Sequence, residues 1–253
     1  MEALVDRQLR GQGTEEAEWL GWPAWKAVAG VDAARLVPEG HRAVMVAPHP
    51  DDEVLAVGGL LSCCAALGRE VAMVAVTDGT ASHPRSSEWP PERLAKERPL
   101  ESSRAWRCLG LGDSQAIRLG IPDGGVAGEA ARLAARLGEI FTPRDVVFTT
   151  WRLDGHPDHE ATAKASIEAA ARCGARLVEV PVWGWHWARP AEPHWPWSRM
   201  RRVALDADTV RRKRQAVACF ASQLQPDRST GAPPILLDST VARAARDFEV
   251  VFA

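Results

Sequence analysis

The sequence predicts an α/β fold: a Rossmann-like, mostly parallel sheet flanked by helices on both faces. Two observations support this prediction. Over most of the 253 residues, short apolar runs typical of strands alternate with longer segments of helical periodicity. Several of these runs are apolar at successive positions, as expected for strands that are covered on both faces of a parallel sheet. The strand–helix–strand order also implies right-handed crossovers.

The chain is predicted to form a single domain with a small extension at its start. No internal repeat and no Gly/Ser/Pro-rich linker separates one part of the chain from another. Residues 41–253 therefore form the predicted α/β domain. Residues 1–40, which include Trp19, Trp22 and Trp25, are predicted to form an N-terminal helical cap of one or two short helices around positions 15–36.

Each element of the predicted domain follows from its local pattern. Strands are predicted at Ala43–Ala47, Val71–Thr77, Ala116–Leu119, Asp145–Thr150, Leu177–Val182, Val203–Leu205 and Phe248–Phe252. Helices are predicted at Asp52–Leu67, Glu92–Leu109 and Glu129–Leu137, from the HPDH segment to Arg172, and at Ala207–Ala221. Residues 78–91 and 183–199 are predicted as long loops, the first polar and the second rich in Trp, Pro and His.

The composition excludes several classes of protein. The net charge is −2, and no basic stripe indicates a nucleic-acid partner. No apolar run is long enough to span a bilayer, and residues 1–20 lack the pattern of a signal peptide, so a cytoplasmic location is expected. The five cysteines lack metal-type spacing and are expected to be buried thiols.

Two clusters of His, Asp and Glu follow two of the predicted strands. Residues 49–53 read His-Pro-Asp-Asp-Glu, and residues 156–160 read His-Pro-Asp-His-Glu. Each alone is also compatible with ordinary capping at the start of a helix. Ligands of parallel α/β sheets bind beyond the carboxyl ends of the strands, where both clusters are expected to lie. Imidazole and carboxylate together suit a divalent metal such as zinc, so the pair predicts a metal site.

The chain resembles the zinc-dependent de-N-acetylase superfamily named for N-acetylglucosaminyl-phosphatidylinositol deacetylase, often called LmbE-like. The hallmarks of that family are an A/P-H-P-D-D-E motif near the N-terminus and H-P-D-H midway. The TDG at residues 77–79, the LGIPDGG at 119–125 and the KRQAVACFASQ at 213–223 also fit. The resemblance covers about residues 42–225.

The resemblance implies a zinc site with three protein ligands, His49, Asp52 and His159. Three ligands leave a fourth position for water, whose pKa zinc lowers toward about 7. Iron(II) or cobalt could serve the same set of ligands.

The resemblance also implies the catalytic groups. Asp51 would be the general base, and His156 the second catalytic group, oriented by Asp158. Glu53 and Glu160 fit equally well as supporting partners of the site and as plain helix N-terminal charges. Which group protonates the leaving nitrogen is left open by the sequence.

The chain departs from some family members, which carry a tyrosine just before the H-P-D-H segment. This chain has no tyrosine, and Trp151, Arg152 and Asp154 occupy that stretch. The resemblance therefore defines the identity of the substrate less well than it defines the hydrolytic chemistry.

Candidate substrate contacts come from the loops. Five of the 11 tryptophans lie within residues 183–197, and aromatic faces stack on sugars. Trp185 and His186 are predicted contacts from this segment, although a hydrophobic plug or an oligomer interface is the alternative. Asp123, in a Pro-Asp-Gly turn, and Asp78, at the end of the second strand, are predicted to bind sugar hydroxyls.

The sequence thus predicts a zinc-dependent hydrolase that removes an N-acetyl or N-acyl group from an amino sugar. A glucosaminide in a biosynthetic or secondary-metabolite intermediate is the expected small-molecule substrate, and a homo-oligomer is possible. An amidase that cleaves a thiol conjugate of an amino-sugar pseudo-disaccharide is one alternative. A non-catalytic metal- or sugar-binding protein is another, but Asp51 and His156 argue against it. A dinucleotide-binding enzyme is excluded, because the first strand is followed by residues 49–53 and not by G-x-G-x-x-G.

Overall fold

Seven strands form one sheet in the computed structural model, which describes residue 9 and residues 11–253. The strands are β1 (Arg42–Ala47), β2 (Val71–Ala75), β3 (Gln115–Arg118), β4 (Asp145–Thr150), β5 (Arg176–Val180), β6 (Met200–Ala204) and β7 (Phe248–Phe252). Their order is β3-β2-β1-β4-β5-β7-β6. Strands β1 to β5 pair in parallel, whereas β7 runs antiparallel to both β5 and β6. The predicted α/β fold with a mostly parallel sheet is confirmed.

The strand order places a topological switch between β1 and β4. From β1 the chain builds outward through β2 and β3, and it then returns to the other side of β1 to form β4 and β5. Crossover connections therefore leave the carboxyl ends of β1 and β4 in opposite directions, which opens a crevice between them. Both His/Asp/Glu clusters follow these two strands.

Helices cover both faces of the sheet. They are α1 (Glu16–Leu20), α2 (Ala33–Leu36), α3 (Asp52–Ala66), α4 (Pro91–Cys108), α5 (Ala130–Ile140), α6 (Pro157–Cys173), α7 (Gly184–Trp187), α8 (Ala207–Val217), α9 (Ala221–Leu224) and α10 (Asp238–Arg243). None of the helices in the described part of the chain is both long enough and apolar enough to cross a bilayer.

Alternate residues of each strand face opposite layers of the core. In β1, Met45 packs with residues of α3, α4 and α8, whereas Val44 and Val46 pack with residues of α5 and α6. This division explains why β2, and β1 from Ala43 onward, are apolar at successive positions, since residues on both of their faces are buried.

The predicted strands and the long helices agree with the structure to within three residues at most ends. The basic helix is the main difference, because it ends at Val217 and a separate short helix, α9, follows. The Trp-rich segment predicted as a loop contains α7 and a 3₁₀ turn at Trp197–Arg199. Helix α10 was not predicted from the sequence.

The start of the chain packs against the antiparallel edge of the sheet. Residues 1–8 and 10 of the predicted cap lie outside the described residues. Beyond them, α1, a 3₁₀ turn at Pro23–Ala27 and α2 follow in order. Trp19 is fully buried and packs edge-on against Trp185, 4.9 Å between ring centroids. The backbone N–H of Val31 donates to the carbonyl of Arg202 in β6. The Trp-rich segment at residues 183–197 is thus largely a hydrophobic plug that packs against the start of the chain.

Helix α3 is broken in its middle, one turn beyond the first motif. Val57 has φ −139° and ψ 21°, values that interrupt the helical hydrogen bonding. The Glu249 carboxylate of β7 accepts hydrogen bonds from the backbone N–H groups of Gly59, at 2.8 Å, and Leu60, at 2.7 Å. A carboxylate from a distant strand therefore caps the second half of the helix.

A buried lysine binds both Glu249 and the helix backbone at this break. The Lys213 ammonium donates to Glu249 at 2.5 Å and to the carbonyl of Leu55 at 3.1 Å, and both charged side chains are at most 5% exposed. The two charges thus satisfy backbone groups of opposite polarity on the two sides of the break.

Replacing Glu249 with alanine is expected to lower the free energy of unfolding by about 3–5 kcal/mol, because it leaves a buried ammonium without a counter-charge. Chemical denaturation measures this loss. A double variant, Lys213→Met with Glu249→Gln, is expected to lose less, since no unpaired charge remains. Asp208→Ala, which removes an exposed partner of Arg211, serves as the control and should change stability by less than about 1 kcal/mol. A loss for Glu249→Ala no larger than that of the control would contradict this account.

Candidate functional site

The two motif segments meet at the carboxyl ends of β1 and β4, as predicted. His49 lies two residues beyond β1, and Asp52 begins α3. His156 precedes the first residue of α6, and His159 lies in its first turn. Because β1 and β4 are paired neighbours, the imidazoles and carboxylates of both segments face one another across the crevice.

Three donor atoms form a nearly equilateral triangle. His49 Nδ1 lies 3.3 Å from Asp52 Oδ2 and 3.3 Å from His159 Nε2, and the last two atoms are 3.2 Å apart. Zinc binds nitrogen and oxygen donors at about 2.0–2.1 Å, so two donors of a tetrahedral site lie about 3.3 Å apart. The donor set and its spacing therefore fit a zinc ion with an open fourth position.

The outer nitrogen of His49 is held by two carboxylates. His49 Nε2 lies 3.1 Å from Asp123 Oδ1 and 3.2 Å from Asp158 Oδ2. These three residues also form a group that could itself hold a metal, as do His49, His156 and His159. We favour the triangle with Asp52, because carboxylates on the far nitrogen of an imidazole usually orient it as a ligand.

The charges of the site match a cation. Burial acts to raise the pKa of Asp52, but His159 and His49 outweigh it and hold the pKa of that carboxyl well below its usual range. Burial acts to lower the pKa of His159, yet Asp52 and Asp154 raise it to about 9. Burial likewise opposes protonation of His49, and the surrounding carboxylates hold its pKa well above the ordinary value. The cluster thus attracts positive charge, which protons or a divalent metal can supply.

Asp154 orients His159 and was not singled out from the sequence. Its Oδ2 lies 2.7 Å from His159 Nδ1. The same carboxylate accepts hydrogen bonds from the backbone N–H groups of Val182, Trp183 and Gly184 at 2.8–2.9 Å. It is fully buried, and it connects the predicted ligand to the segment that follows β5. An Asp two residues before an H-P-D-H motif was the available signal.

Asp158 does not orient His156, so that prediction is wrong. The Asp158 carboxylate contacts His49 and accepts hydrogen bonds from the backbone N–H groups of Gly124, at 2.7 Å, and Val126, at 3.2 Å. His156 instead caps α6, where its Nδ1 accepts a hydrogen bond from the backbone N–H of Asp158 at 3.2 Å. The Asp158 side chain thus binds backbone N–H groups at Gly124 and Val126, more than 30 residues away, and the local sequence does not reveal these partners.

His156 lies beside two members of the triangle. Its ring centroid is 4.9 Å from that of His49 and 5.0 Å from that of His159, and it stacks beside Trp183 at 6.2 Å. Burial, followed by the positive charges of His159 and His49, lowers the pKa of His156 to about 4.

Asp51 has a strained backbone. Its φ of 117° lies in a region that side chains rarely adopt. Its backbone N–H donates to Glu53 Oε2 at 2.9 Å, and Glu53 Oε1 accepts from the Ser102 hydroxyl at 2.7 Å. Glu53 is fully buried, so its contacts support the loop in this conformation. Burial raises the pKa of the Asp51 carboxyl to about 8, against the opposing charge of Arg98.

Arg98 ties the first motif to the TDG segment. Its guanidinium donates to the carbonyl of Pro50 at 2.6 Å, to Asp51 Oδ2 at 3.2 Å and to the carbonyl of Gly79 at 2.8 Å. A Cβ at Gly79, where φ is 63°, would lie 1.9 Å from this guanidinium, so only glycine fits. Nothing in the charged sequence of α4 distinguishes Arg98 from its exposed neighbours.

A cavity of about 250 Å³ opens beside the triangle. His49, Asp51, Asp52 and His156 line it, and so do Asp123 and His186, two of the predicted substrate contacts. Asp123 is held in place, because its Oδ2 accepts from the backbone N–H of Ala81 at 2.7 Å while its Oδ1 contacts His49.

The other two predicted substrate contacts lie elsewhere, and this corrects the prediction. Asp78 pairs with Arg118 at 2.8 Å and does not line the cavity. Trp185 is 6% exposed and is buried among other tryptophans, where apolar packing outweighs any role at the surface. Trp183 lines the cavity instead.

Comparison with known proteins identifies a family model and individual relatives. The model described as PIG-L, GlcNAc-PI de-N-acetylase, matches residues 44–170. The "1D-myo-inositol 2-acetamido-2-deoxy-alpha-D-glucopyranoside deacetylase" of Rhodococcus jostii (strain RHA1) is 27% identical over 240 residues, which cover 72% of this chain and 82% of that protein.

Two solved structures have a similar fold. The "conserved protein TT1542" from Thermus thermophilus has a TM-score of 0.54 and 28% identity, covering 73% of this chain and 80% of that one. The N,N'-diacetylchitobiose deacetylase from Pyrococcus horikoshii has a TM-score of 0.57 and 21% identity, covering 74% of this chain and 72% of that one. At that identity the second likeness concerns the fold alone.

Proposed function

Since the chain belongs to the PIG-L family of GlcNAc-PI de-N-acetylases, we propose that it is a zinc-dependent hydrolase that removes an N-acetyl group from an amino sugar. One observation carries the proposal: the triangle of His49, Asp52 and His159 borders a cavity that also contains the carboxylate of Asp51. A ligand set beside an unliganded carboxylate is the arrangement that amide hydrolysis requires.

Zinc would be held by His49 Nδ1, Asp52 Oδ2 and His159 Nε2. When bound, the ion supplies Lewis-acid polarisation of a carbonyl oxygen and lowers the pKa of water. Asp123 and Asp158 hold the outer nitrogen of His49, and Asp154 holds that of His159, so both rings are fixed before the ion arrives.

Asp51 is proposed as the general base. As a water oxygen forms a bond to the acetamide carbonyl carbon, the Asp51 carboxylate takes the proton that the water loses. Arg98 keeps that carboxylate in place with a hydrogen bond at 3.2 Å. The strained backbone at Asp51 supports a functional role, because such conformations persist where surrounding contacts enforce them.

Collapse of the tetrahedral adduct then breaks the carbon–nitrogen bond. The nitrogen must receive a proton, because an unprotonated amide nitrogen is a very poor leaving group, and the proton that Asp51 took from the water balances this transfer. The products are acetic acid, which ionises to acetate, and a free amine. His156 lines the same cavity and is proposed to contact the developing oxyanion.

The substrate is proposed to be a glucosaminide, an intermediate of biosynthesis or of secondary metabolism. The name of the Rhodococcus jostii relative, a deacetylase of a 2-acetamido-2-deoxy-glucopyranoside, supports an amino-sugar glycoside for this chain as well. Trp183 offers an aromatic face on which a sugar can stack.

Product analysis tests this proposal. The zinc-loaded protein is incubated with a panel of N-acetyl- and longer N-acylglucosaminides and, separately, with a thiol conjugate of an amino-sugar pseudo-disaccharide. Carboxylic acid and primary amine are measured in parallel. Equal amounts of acid and amine are expected from at least one member of the panel. Release of neither product from any member would refute the proposal, as would cleavage confined to a thiol conjugate with loss of a mercapturate-type acid.

A further inference from the structure

The wall of the cavity contributed by the C-terminal part of the chain lies outside the segment matched by the family model. That model ends at residue 170, whereas Gln223, Ile235, Leu236, Thr240 and Arg243 all line the cavity. Gln223 ends the KRQAVACFASQ segment that fits the family pattern, whereas the other four residues lie beyond residue 225, where the resemblance ends. The contribution of Arg243 to the wall therefore lies outside the part of the chain that resembles the family.

Arg243 brings a guanidinium into this wall. Its side chain is 9% exposed. It donates to the carbonyls of Thr14, at 3.1 Å, and Trp185, at 3.2 Å, and to the Thr240 hydroxyl at 3.3 Å. Its Nε is buried and has no hydrogen-bond partner among the described residues.

The charge of Arg243 is poorly compensated. Its nearest carboxylate, Glu16, is 3.7 Å away, and both oxygens of that carboxylate accept short hydrogen bonds of 2.6 Å from Arg246. Two guanidinium groups thus share one carboxylate. Burial, and then the charge of Arg246, lowers the pKa of Arg243 to about 10, although Glu16 and Glu15 oppose this. A buried positive charge of this kind is costly unless an anion pairs with it.

A second buried group in the same wall also lacks a partner. The side-chain oxygen of Gln223, a residue 1% exposed, accepts no hydrogen bond from the described residues, while its amide nitrogen donates to the Ser222 hydroxyl at 2.9 Å. Buried polar groups of folded proteins nearly always have partners. Arg243 and Gln223 both line the cavity, and each has a side-chain atom without a hydrogen-bond partner among the described residues, although the Arg243 Nε is 3.7 Å from Glu16. Two polar side chains of one wall with unused hydrogen-bonding capacity favour a polar ligand.

We propose that Arg243 and Gln223 form a recognition subsite for the part of the substrate that lies beyond the acetamide, and that Arg243 binds an anionic group there, a carboxylate or a phosphate. The Gln223 side-chain oxygen accepts a hydrogen bond from a neighbouring hydroxyl of the same substrate. This inference rests on the proposed deacetylase function, which places the acetamide beside the donor triangle. The preferred substrates are therefore acidic amino-sugar derivatives.

Steady-state kinetics with three probes tests the subsite. The probes are methyl N-acetylglucosaminide, which is neutral, N-acetylglucosamine 1-phosphate and N-acetylmuramic acid, which carries a carboxylate. Wild type is expected to prefer at least one acidic probe. Arg243→Met should lower kcat/KM for that probe about 10- to 100-fold relative to its effect on the neutral one, since a charge-assisted hydrogen bond is lost. Arg243→Lys should restore part of the preference, and which acidic probe responds identifies the anion.

Arg214→Met is the matched control. It removes the same charge from an exposed position on α8 outside this cavity, and it should leave the preference intact. An equal loss for all three probes in Arg243→Met, or no acidic preference in wild type, would overturn the subsite.

Binding of the amine products separates this inference from the proposed function. Calorimetry compares glucosamine 1-phosphate, muramic acid and methyl glucosaminide as ligands of the zinc-loaded wild type and of Arg243→Met. Tighter binding of an acidic amine that depends on Arg243 would support the subsite even if no acetate were released from any probe. Acetate release without an Arg243-dependent preference for acidic ligands would refute the subsite and leave the deacetylase function standing.

Discussion

Replacing Asp51 with asparagine is expected to lower kcat for acetate release by a factor of about 100 to 10,000, the usual contribution of a positioned general base. Asparagine keeps the size of the side chain and tolerates the positive φ of 117°, so the backbone of the motif should remain in place. Zinc content should be unchanged, because the carboxylate of Asp51 is not part of the donor triangle. Initial rates of acetate release, with metal analysis of the same sample, measure both effects.

Asp78→Asn is the matched control for this variant. Asp78 also lies beyond the end of a strand, but it pairs with Arg118 and does not line the cavity. Its replacement should leave kcat close to that of wild type. Acetate release by Asp51→Asn at a rate similar to that of the control would remove Asp51 from the mechanism.

Replacing His159 with alanine is expected to weaken zinc binding by more than about 100-fold, since loss of a ligand should exceed the 10- to 100-fold loss typical of its supporting partners. Asp154→Asn removes such a partner and should fall within about 10- to 100-fold. Competition with a chelator of known affinity measures both variants. Acetate release should fall in the same order.

His194→Ala controls for the loss of an imidazole. His194 is exposed, contacts Glu192 and does not line the cavity. Zinc affinity of this variant should equal that of wild type. If His159→Ala also retained wild-type affinity, the donor triangle could not be the metal site.

Much of the catalytic end of the sheet was predictable, because its signals are local in sequence. The strand before His49 is a continuous apolar run from Ala43 to Ala47, and the strand before His156 contains the apolar run Val146–Phe148. The motifs follow these strands within two and six residues, respectively. Parallel strands then bring the motifs to one edge of the sheet by geometry alone. The helices on both faces follow for the same reason, since buried strands require cover on each side.

The contacts that complete the site were not predictable, because they join residues far apart in sequence. Arg98 reaches Asp51 from 47 residues away, and Asp158 reaches Gly124 from 34 residues away. The local sequences of α4 and α6 do not indicate these distant partners. The resemblance implies that Asp158 orients His156, whereas its carboxylate accepts hydrogen bonds from the distant backbone N–H groups of Gly124 and Val126.

The aromatic segment shows a further limit of sequence reasoning. Tryptophan serves both as a sugar-stacking surface and as a large buried side chain, and composition does not distinguish the two uses. The structure buries Trp19, Trp185 and Trp195 together, and it leaves Trp183 at the cavity. The start of the chain packs against the segment after β5. This tertiary contact determines which tryptophan rings are buried and which one lines the cavity.

Zinc titration of the metal-free protein, followed by acetate release from a responsive N-acetylglucosaminide, tests the central claim most directly. Activity is expected to rise with added zinc and to level off at one ion per chain. Asp51→Asn should bind the same amount of zinc but release acetate about 100 to 10,000 times more slowly. Acetate release that is unaffected by complete removal of metal, or the absence of stoichiometric zinc binding in wild type, would contradict the claim that this chain is a zinc-dependent deacetylase.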